Sequence, residues 1–232
     1  GGLYKLGDFP SKNTFTWNGH FRDDLRRFWK GDKDTAWNMS DKIKGTPSIY
    51  KEDNIFPKSI NFITSHDGFT LKDLVTFNRK HNFANREQNR DGDNHNNSWN
   101  HGTEGPTTNL LINDLRKRQQ KNLVLSLLIS KGVPMILMGD EIGRSQGGNN
   151  NSWCQNNLLG WMNWEHGQQD LELLEYFKYV IKIRKKLINI FNPSFFPNNQ
   201  TNENIPTYHW HGTKLDSPDW SSWSHTVAFS IN

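Results

Sequence analysis

The residues best suited to chemistry are His66 and Asp67, which follow the apolar stretch 59–64 and precede Gly68. This stretch predicts a short buried strand, 59–65, that ends by presenting an imidazole beside a carboxylate, followed by a glycine turn. Such a pair at the mouth of an apolar strand is costly unless both groups have partners. In a barrel of parallel strands, catalytic groups lie at that end of the strand. The sequence leaves one alternative open, in which Asp67 caps the next helix and His66 is an ordinary surface histidine.

A second acidic pair, Asp140 and Glu141, follows another short apolar run at residues 133–138. With Arg144 nearby, the pair fits either a helix cap with a surface ion pair or a functional role, and both interpretations remain open. Glycoside hydrolysis requires two carboxyl groups flanking the scissile bond. Asp67 and Glu141 could supply them, but nothing in the sequence sets the ~5 Å separation that a retaining reaction needs.

The loops combine aromatic and amide side chains in a way that favours a neutral sugar ligand. The chain contains 10 tryptophans, whose faces can stack on sugar rings, and Asn, Gln, Asp and His side chains bind hydroxyl groups in directional pairs. A single tryptophan more often packs in a core or an interface, but the set as a whole favours carbohydrate. Its members are Trp99, Asn100, His101, Trp153, Gln155, Asn156, Trp161 and Trp164.

Hydrophobic periodicity predicts the elements that position these residues. The predicted helices are 21–29, stopped by Gly31, then 114–131 and 171–188, with a helical turn or two within 69–77. The alternation of these helices with the strands 59–65 and 133–138 indicates a β/α arrangement with parallel strands. Residues 31–58 are predicted to be irregular, and Asn18-Gly19 to form a turn. After residue 190, the strand-like runs 208–211 and 226–231 indicate the start of an antiparallel β domain.

Composition narrows the classes of function that the chain can have. The chain of 232 residues is 33% hydrophobic, and its polar excess is Asn-rich rather than charged, which indicates long ordered loops at 78–109 and 146–157. The net charge of +4 is spread over helix-like segments, so solvated helix faces are favoured over nucleic-acid binding. Cys154 is the only cysteine, which excludes an internal disulfide and a cysteine zinc site. No stretch approaches the ~18 apolar residues of a membrane span.

Several long motifs resemble the isoamylase and glycogen-debranching branch of the α-amylase superfamily. The most specific motif is Phe62-Ile63-Thr64-Ser65-His66-Asp67-Gly68, which continues to residue 75. Residues 132–141 are similar to the superfamily's last barrel-strand motif. The other matching segments are Asn78, 80–82, 84–85, 97–100, Gly102, 104–105, Thr107, 148–151 and 154–157, with 210–212, 218–221, 224–225 and 228–229 resembling the family's C-terminal β domain.

The resemblance implies an α/β fold, in which residues 1–190 form the C-terminal part of a (β/α)8 TIM barrel and residues 191–232 the start of an antiparallel β-sandwich. It implies hydrolysis of α-1,6 branch linkages with retention, in glycogen, amylopectin or limit dextrin. Asp67 matches the family's transition-state-stabilising Asp, and His66 the adjacent histidine that contacts the sugar. Trp99, Asp140 and Glu141 are further candidates for substrate binding.

The family's nucleophilic Asp and general-acid Glu match no position of this sequence. The Glu precedes a segment like residues 1–10, and the first residue is not Met, so we expect both acids upstream and the isolated chain to be inactive. Two other hypotheses remain: a non-catalytic glucan-binding isoamylase-like subunit, and a basic nucleic-acid-binding module whose binding would weaken steeply with salt. We expect no metal or other cofactor, no nucleic-acid or membrane partner, and a cytoplasmic or plastid location, and we leave the oligomeric state open.

Overall fold

The computed structural model describes residues 6–8, 14–50, 58–165, 168–187 and 207–232. Short 3₁₀ turns lie at Phe83–Asn85, Asp140–Ile142 and Ser152–Cys154. The strands are β1 (Thr16–Trp17), β2 (Ser59–Phe62), β3 (Val133–Met135), β4 (Tyr208–His211) and β5 (Ala228–Ile231), and the helices are α1 (Gly19–Lys30), α2 (Ala36–Ile43), α3 (Leu71–Leu74), α4 (Leu110–Ile129) and α5 (Gln168–Lys186).

The described strands form two sheets, as the two kinds of sequence pattern predicted. Strands β1, β2 and β3 pair in parallel in that order, with Ile60 opposite Val133. Strands β4 and β5 pair antiparallel, with Tyr208 opposite Ile231. The β/α pattern with parallel strands is therefore confirmed. The predicted domain boundary at residue 190 lies outside the described residues and stays a prediction, as does the end of α5 at residue 188.

Two sequence predictions about local structure are wrong. Helix α2 forms within the segment 31–58 that was predicted to be irregular, because Met39 and Ile43 lie one turn apart and are both buried. Asn18 does not form a turn with Gly19 but is the N-cap of α1, since its side chain accepts a hydrogen bond from Phe21 N at 2.9 Å. Gly31 ends α1 as predicted, with φ +88°.

The chain divides into two compact units, each with its own core. The first consists of Gly1–Phe62, Ser126–Met135 and Ile181–Asn232, and the second of Ile63–Leu125 and Ile136–Val180. Every candidate site residue lies in the second unit. Buried apolar side chains of the first unit include Phe21, Leu25, Met39 and Ile43, and those of the second include Phe69, Leu71, Leu74, Leu123 and Phe177.

Candidate active site

The turn that carries His66 and Asp67 has a fixed backbone and exposed side chains. The two side chains are 72% and 78% exposed, with His66 Nε2 3.5 Å from Asp67 Oδ2. Gly68, at φ +103°, donates its backbone N–H to Asn150 O at 2.9 Å. The N-cap of α3 is Thr70, whose side chain accepts from Asp73 N at 3.2 Å, so the alternative in which Asp67 caps this helix is wrong. Asp67 therefore presents its carboxylate to solvent.

Asp140 is buried against this turn instead of facing a ligand. Its side chain is 2% exposed, and its two oxygens accept hydrogen bonds from Thr64 Oγ1 and, at 2.9 Å, from Leu71 N. Burial raises the pKa of Asp140 to about 7, against the opposing effect of these hydrogen bonds. A surface ion pair with Arg144 is excluded by this burial. The substrate contact predicted for Asp140 is not favoured either, because a sugar could not reach the carboxylate without a rearrangement of the loop.

Asp73 is a second buried carboxylate of the site, and sequence analysis missed it. Its side chain accepts hydrogen bonds from Ser145 Oγ, from Gln146 N at 2.8 Å and from Gly148 N at 3.3 Å. Burial raises its pKa, although these hydrogen bonds act in the opposite direction. The sequence signal was Thr70 three residues before Asp73, a capping pattern that predicts the helix start but not the direction of the carboxylate.

Glu141 organises its own loop. It is half-buried and accepts a hydrogen bond from Gly139 N at 2.8 Å. Gly139, at φ +97°, is packed so closely that a Cβ atom there would lie 2.6 Å from Arg144 Cδ. The Arg144 guanidinium in turn donates to Gly160 O at 2.8 Å. The substrate contact predicted for Glu141 stays a prediction.

Trp99 offers a partly exposed ring with one face covered. It is 42% exposed and stacks on His101, with the ring centroids 4.5 Å apart and an interplanar angle of 28°. His101 is buried, and its Nδ1 hydrogen-bonds Val75 O at 3.0 Å. Burial lowers the pKa of His101, and Arg116 lowers it further, which favours the neutral imidazole. The ring of Trp99 is therefore a rigid platform on which an apolar sugar face could stack.

Two charged residues fix the backbone around this platform. The buried Arg116 guanidinium donates to Asn100 O at 2.8 Å, to Gly105 O at 2.9 Å and to Thr103 O. Glu104 accepts from Asn78 N at 2.8 Å and from further donors of the same unit. Partial burial opposes the ionisation of Glu104, but its hydrogen bonds together lower its pKa. Sequence reasoning missed both residues, because their partners are mostly backbone atoms.

Buried amides hold the Asn-rich loops together, so asparagines of these loops have a structural role that the sequence analysis did not assign to them. Asn82 Nδ2 donates to Asn150 Oδ1 at 2.8 Å, and Asn150 Nδ2 donates to Asn96 Oδ1 at 2.8 Å. All three side chains are at most 5% exposed. The predicted contacts Gln155 and Asn156 are also engaged within the unit, with Gln155 Nε2 donating to Asn85 Oδ1 and Asn156 Oδ1 accepting from Trp161 Nε1. Of the tryptophans in the predicted set, Trp153, Trp161 and Trp164 are more exposed than Trp99.

Within the residues that the structure describes, no group of three His, Cys, Asp or Glu side chains is arranged to hold a metal ion. Of the described helices, none is long and apolar enough to cross a membrane.

Comparison with known proteins confirms the resemblance that the motifs indicated. The chain is 43% identical over 232 residues to the chloroplastic isoamylase 1 of Oryza sativa, which covers 99% of this chain and 28% of that protein. It is 42% identical to the chloroplastic isoamylase SU1 of Zea mays, covering 100% and 29%. It is 46% identical over 185 residues to the glycogen operon protein GlgX homolog of Mycobacterium tuberculosis, covering 79% and 26%. The chain thus spans less than a third of the length of these relatives, and no family model matches it.

Solved structures agree on the fold. Pullulanase from Bacillus acidopullulyticus superposes with a TM-score of 0.55 at 20% identity, over 76% of this chain and 19% of that one. The maltotriose complex of a Klebsiella pneumoniae pullulanase gives a TM-score of 0.54 at 11% identity, over 74% and 25%. At these identities the likeness supports a shared fold rather than a shared specificity.

Proposed function

We propose that this chain, a relative over its whole length of the isoamylase and glycogen-debranching proteins, forms part of an enzyme that hydrolyses α-1,6 branch linkages of α-glucans with retention. The observation that carries the proposal is the exposed His66-Asp67 turn, whose backbone is fixed by the loop after β3. This turn follows strand β2 of the parallel sheet after three residues, and catalytic groups of barrel enzymes lie beyond the ends of such strands.

Asp67 is assigned to the stabilisation of the transition state. Cleavage of a glycosidic bond passes through an oxocarbenium-like state, and a fixed carboxylate beside the sugar ring opposes the developing positive charge. Its exposure leaves it able to accept hydrogen bonds from sugar hydroxyls. His66 is assigned to the same sugar, because its ring nitrogen lies 3.5 Å from the Asp67 carboxylate. Trp99 is assigned to stacking on a glucose unit of the bound chain.

The rest of the reaction requires two catalytic groups of the family that correspond to no residue of this sequence. A retaining double displacement needs a nucleophilic carboxylate and a general acid, and we assign both to other parts of the full-length protein. On this basis the 232 residues alone bind glucan but do not hydrolyse it. The parallel sheet β1–β2–β3 belongs to the closing part of a (β/α)8 barrel, and β4–β5 to the start of a β-sandwich. The likeness to the pullulanases supports this assignment.

The substrate class is branched α-glucan: glycogen, amylopectin or limit dextrin. We place the protein in the cytosol or a plastid by analogy with its relatives, two of which are described as chloroplastic. Its rings and amides are neutral, so glucan binding should depend little on salt, in contrast to nucleic-acid binding.

The test compares branched and linear substrates. The full-length protein that carries these residues is incubated with amylopectin and with linear amylose, and new reducing ends and iodine absorbance are measured. We expect reducing ends from amylopectin only, released first as the α-anomer because the reaction retains configuration. Glucan binding without any release of chains would overturn the hydrolase proposal in favour of a non-catalytic glucan-binding subunit.

A further inference from the structure

The segments that follow β2 and β3 each contribute a buried carboxylate that accepts hydrogen bonds from the other segment. Asp140, from the loop after β3, accepts hydrogen bonds from Thr64 and Leu71 in the segment after β2. Asp73, which lies on the β2 side, accepts from Ser145 Oγ and from two backbone N–H groups of the loop after β3. Each loop therefore satisfies donors of the other, and neither carboxylate faces solvent.

The hydrogen bonds of Asp140 lie on both sides of Asp67 along the chain. Thr64 precedes Asp67 by three residues and Leu71 follows it by four, so one carboxylate holds both ends of the segment 64–71. Between these anchors, Gly68 N donates to Asn150 O at 2.9 Å, which fixes the middle of the segment to the same neighbouring loop. The exposed Asp67 side chain thus projects from a backbone that is held at three points.

The energetic cost of this arrangement argues that it does more than fill space. A buried carboxylate is expensive even when it is hydrogen-bonded, and burial raises the pKa of both Asp140 and Asp73. Two apolar side chains could join the loops without that cost, as replacement of buried polar groups by well-packed apolar ones is often neutral or stabilising. An apolar contact, however, fixes no hydrogen-bonding geometry, whereas the two oxygens of Asp140 fix two donors at defined positions.

We infer that Asp140 is a positioning residue for catalysis, which sets the location of the Asp67 carboxylate by clamping both ends of the segment 64–71. The inference rests on the proposed function in that it assigns Asp67 to the reaction. It replaces the direct substrate contact predicted for Asp140 with an action through Asp67. Displacement of a catalytic group by about 1 Å can cost about 10²-fold in rate, so loss of the clamp should be visible in turnover.

The main experiment compares Asp140→Asn with Asp140→Ala in the full-length protein. In Asp140→Asn, the amide oxygen can accept from Leu71 N and the amide nitrogen can donate to Thr64 Oγ1, so the geometry is kept and kcat should stay within about threefold of wild type. In Asp140→Ala, both donors lose their partner, and kcat on amylopectin should fall about 10²-fold with little change in KM. Thr64→Val, which removes one of the two bonds, should give an intermediate loss.

A destabilised control separates positioning from general stability. Leu123→Ala removes buried apolar volume from helix α4 of the same unit but none of the hydrogen bonds of Asp140, and should lower the melting temperature while leaving kcat within about twofold. If Asp140→Ala and Leu123→Ala affect kcat equally at matched loss of melting temperature, the positioning role is overturned. A loss of turnover in Asp140→Asn would also contradict the positioning role, because the two hydrogen bonds would then not be enough to maintain catalysis.

Hydrogen exchange provides a readout that does not depend on hydrolysis. Asp140→Ala should accelerate exchange of the peptide 64–71, above all of the Leu71 amide, whereas Asp140→Asn and Leu123→Ala should not. If this pattern appears in a protein that hydrolyses no glucan, the structural role of Asp140 in holding the segment 64–71 is supported and the proposed function is wrong. If wild-type protein debranches amylopectin but Asp140→Ala leaves the exchange of residues 64–71 unchanged, the clamp fails and the proposed function stands.

Discussion

The burial of Asp140 leads to a prediction about how stability depends on pH. In the folded protein its pKa is raised from an ordinary value of 3.8 to about 7. Between these two values the folded state holds a proton on Asp140 that the unfolded state has released. The contribution of Asp140 to the free energy of unfolding is therefore fully present below about pH 4 and is lost as the pH rises through 7. The charged residues that act on it are Glu141, which raises its pKa, and Arg144, which lowers it.

The magnitude follows from the difference of about three pH units between the two pKa values. At about 1.4 kcal/mol for each unit, the full effect is about 4 kcal/mol, of which about 3 kcal/mol develops between pH 5 and pH 8. Asp140→Asn has no proton to lose and keeps both hydrogen-bond positions. We therefore expect the variant to gain about 3 kcal/mol of unfolding free energy relative to wild type when the pH is raised from 5 to 8.

The assay is urea denaturation of wild type and Asp140→Asn from pH 5 to pH 8, followed by tryptophan fluorescence. Other titrating groups are present in both proteins, so the difference between the two unfolding free energies isolates Asp140. A difference that does not change with pH would refute the reasoning, because it would mean that the buried carboxylate has an ordinary pKa. If the unfolding free energy of wild type rose relative to that of Asp140→Asn at high pH, the reasoning would also be refuted, since the pKa of Asp140 would then be lowered in the folded state and not raised.

Three further predictions concern single residues. Lys80→Met leaves three backbone carbonyl oxygens without the buried ammonium group to which they bond, and should open its loop to limited proteolysis with a loss of about 3 kcal/mol in stability. Gly132→Ala should destabilise the first unit by about 3 kcal/mol in urea denaturation, since φ is +125° and a Cβ would lie 2.7 Å from Asn61 Nδ2, whereas Gly31→Ala, with open space around it, should cost about 1 kcal/mol. Trp99→Ala should weaken maltotetraose binding about tenfold in calorimetry, and unchanged affinity would exclude Trp99 from the site.

Elements with a long apolar period could be predicted from the sequence, and short ones could not. Helix α4 buries Leu123, Leu127 and Leu128 at helical spacing, and it was predicted within four residues of its start and two of its end. Helix α2 has only eight residues, so the spacing of its buried apolar side chains extends over about two turns, and such a short helix depends on packing in the folded chain. Strand β2 ends at Phe62, three residues before the predicted end, since the apolar run continues through Ile63 beyond the last residue that pairs with β3.

In the candidate site too, features that depend on neighbouring residues could be predicted, whereas contacts between residues distant in the sequence could not. The exposure of His66 and Asp67 at the end of a strand follows from a local pattern, and the structure agrees with it. The direction of Asp140 depends on donors 69 and 76 residues away, and the amide pair Asn82 and Asn150 joins residues 68 apart. A single sequence contains no signal for such pairs, which is why neither the buried amide network nor the partners of Asp140 were predicted.

The most direct test of the account is the turnover of Asp67→Asn in the full-length protein. Asp216→Asn is the matched control, because Asp216 is 80% exposed and lies 3.4 Å from His211 Nδ1, much as Asp67 lies beside His66. We predict that Asp67→Asn lowers kcat on amylopectin by about 10²–10³-fold while the fold and the binding of maltotetraose are retained, and that Asp216→Asn is unaffected. Near wild-type turnover of Asp67→Asn would contradict the assignment of this carboxylate to the reaction.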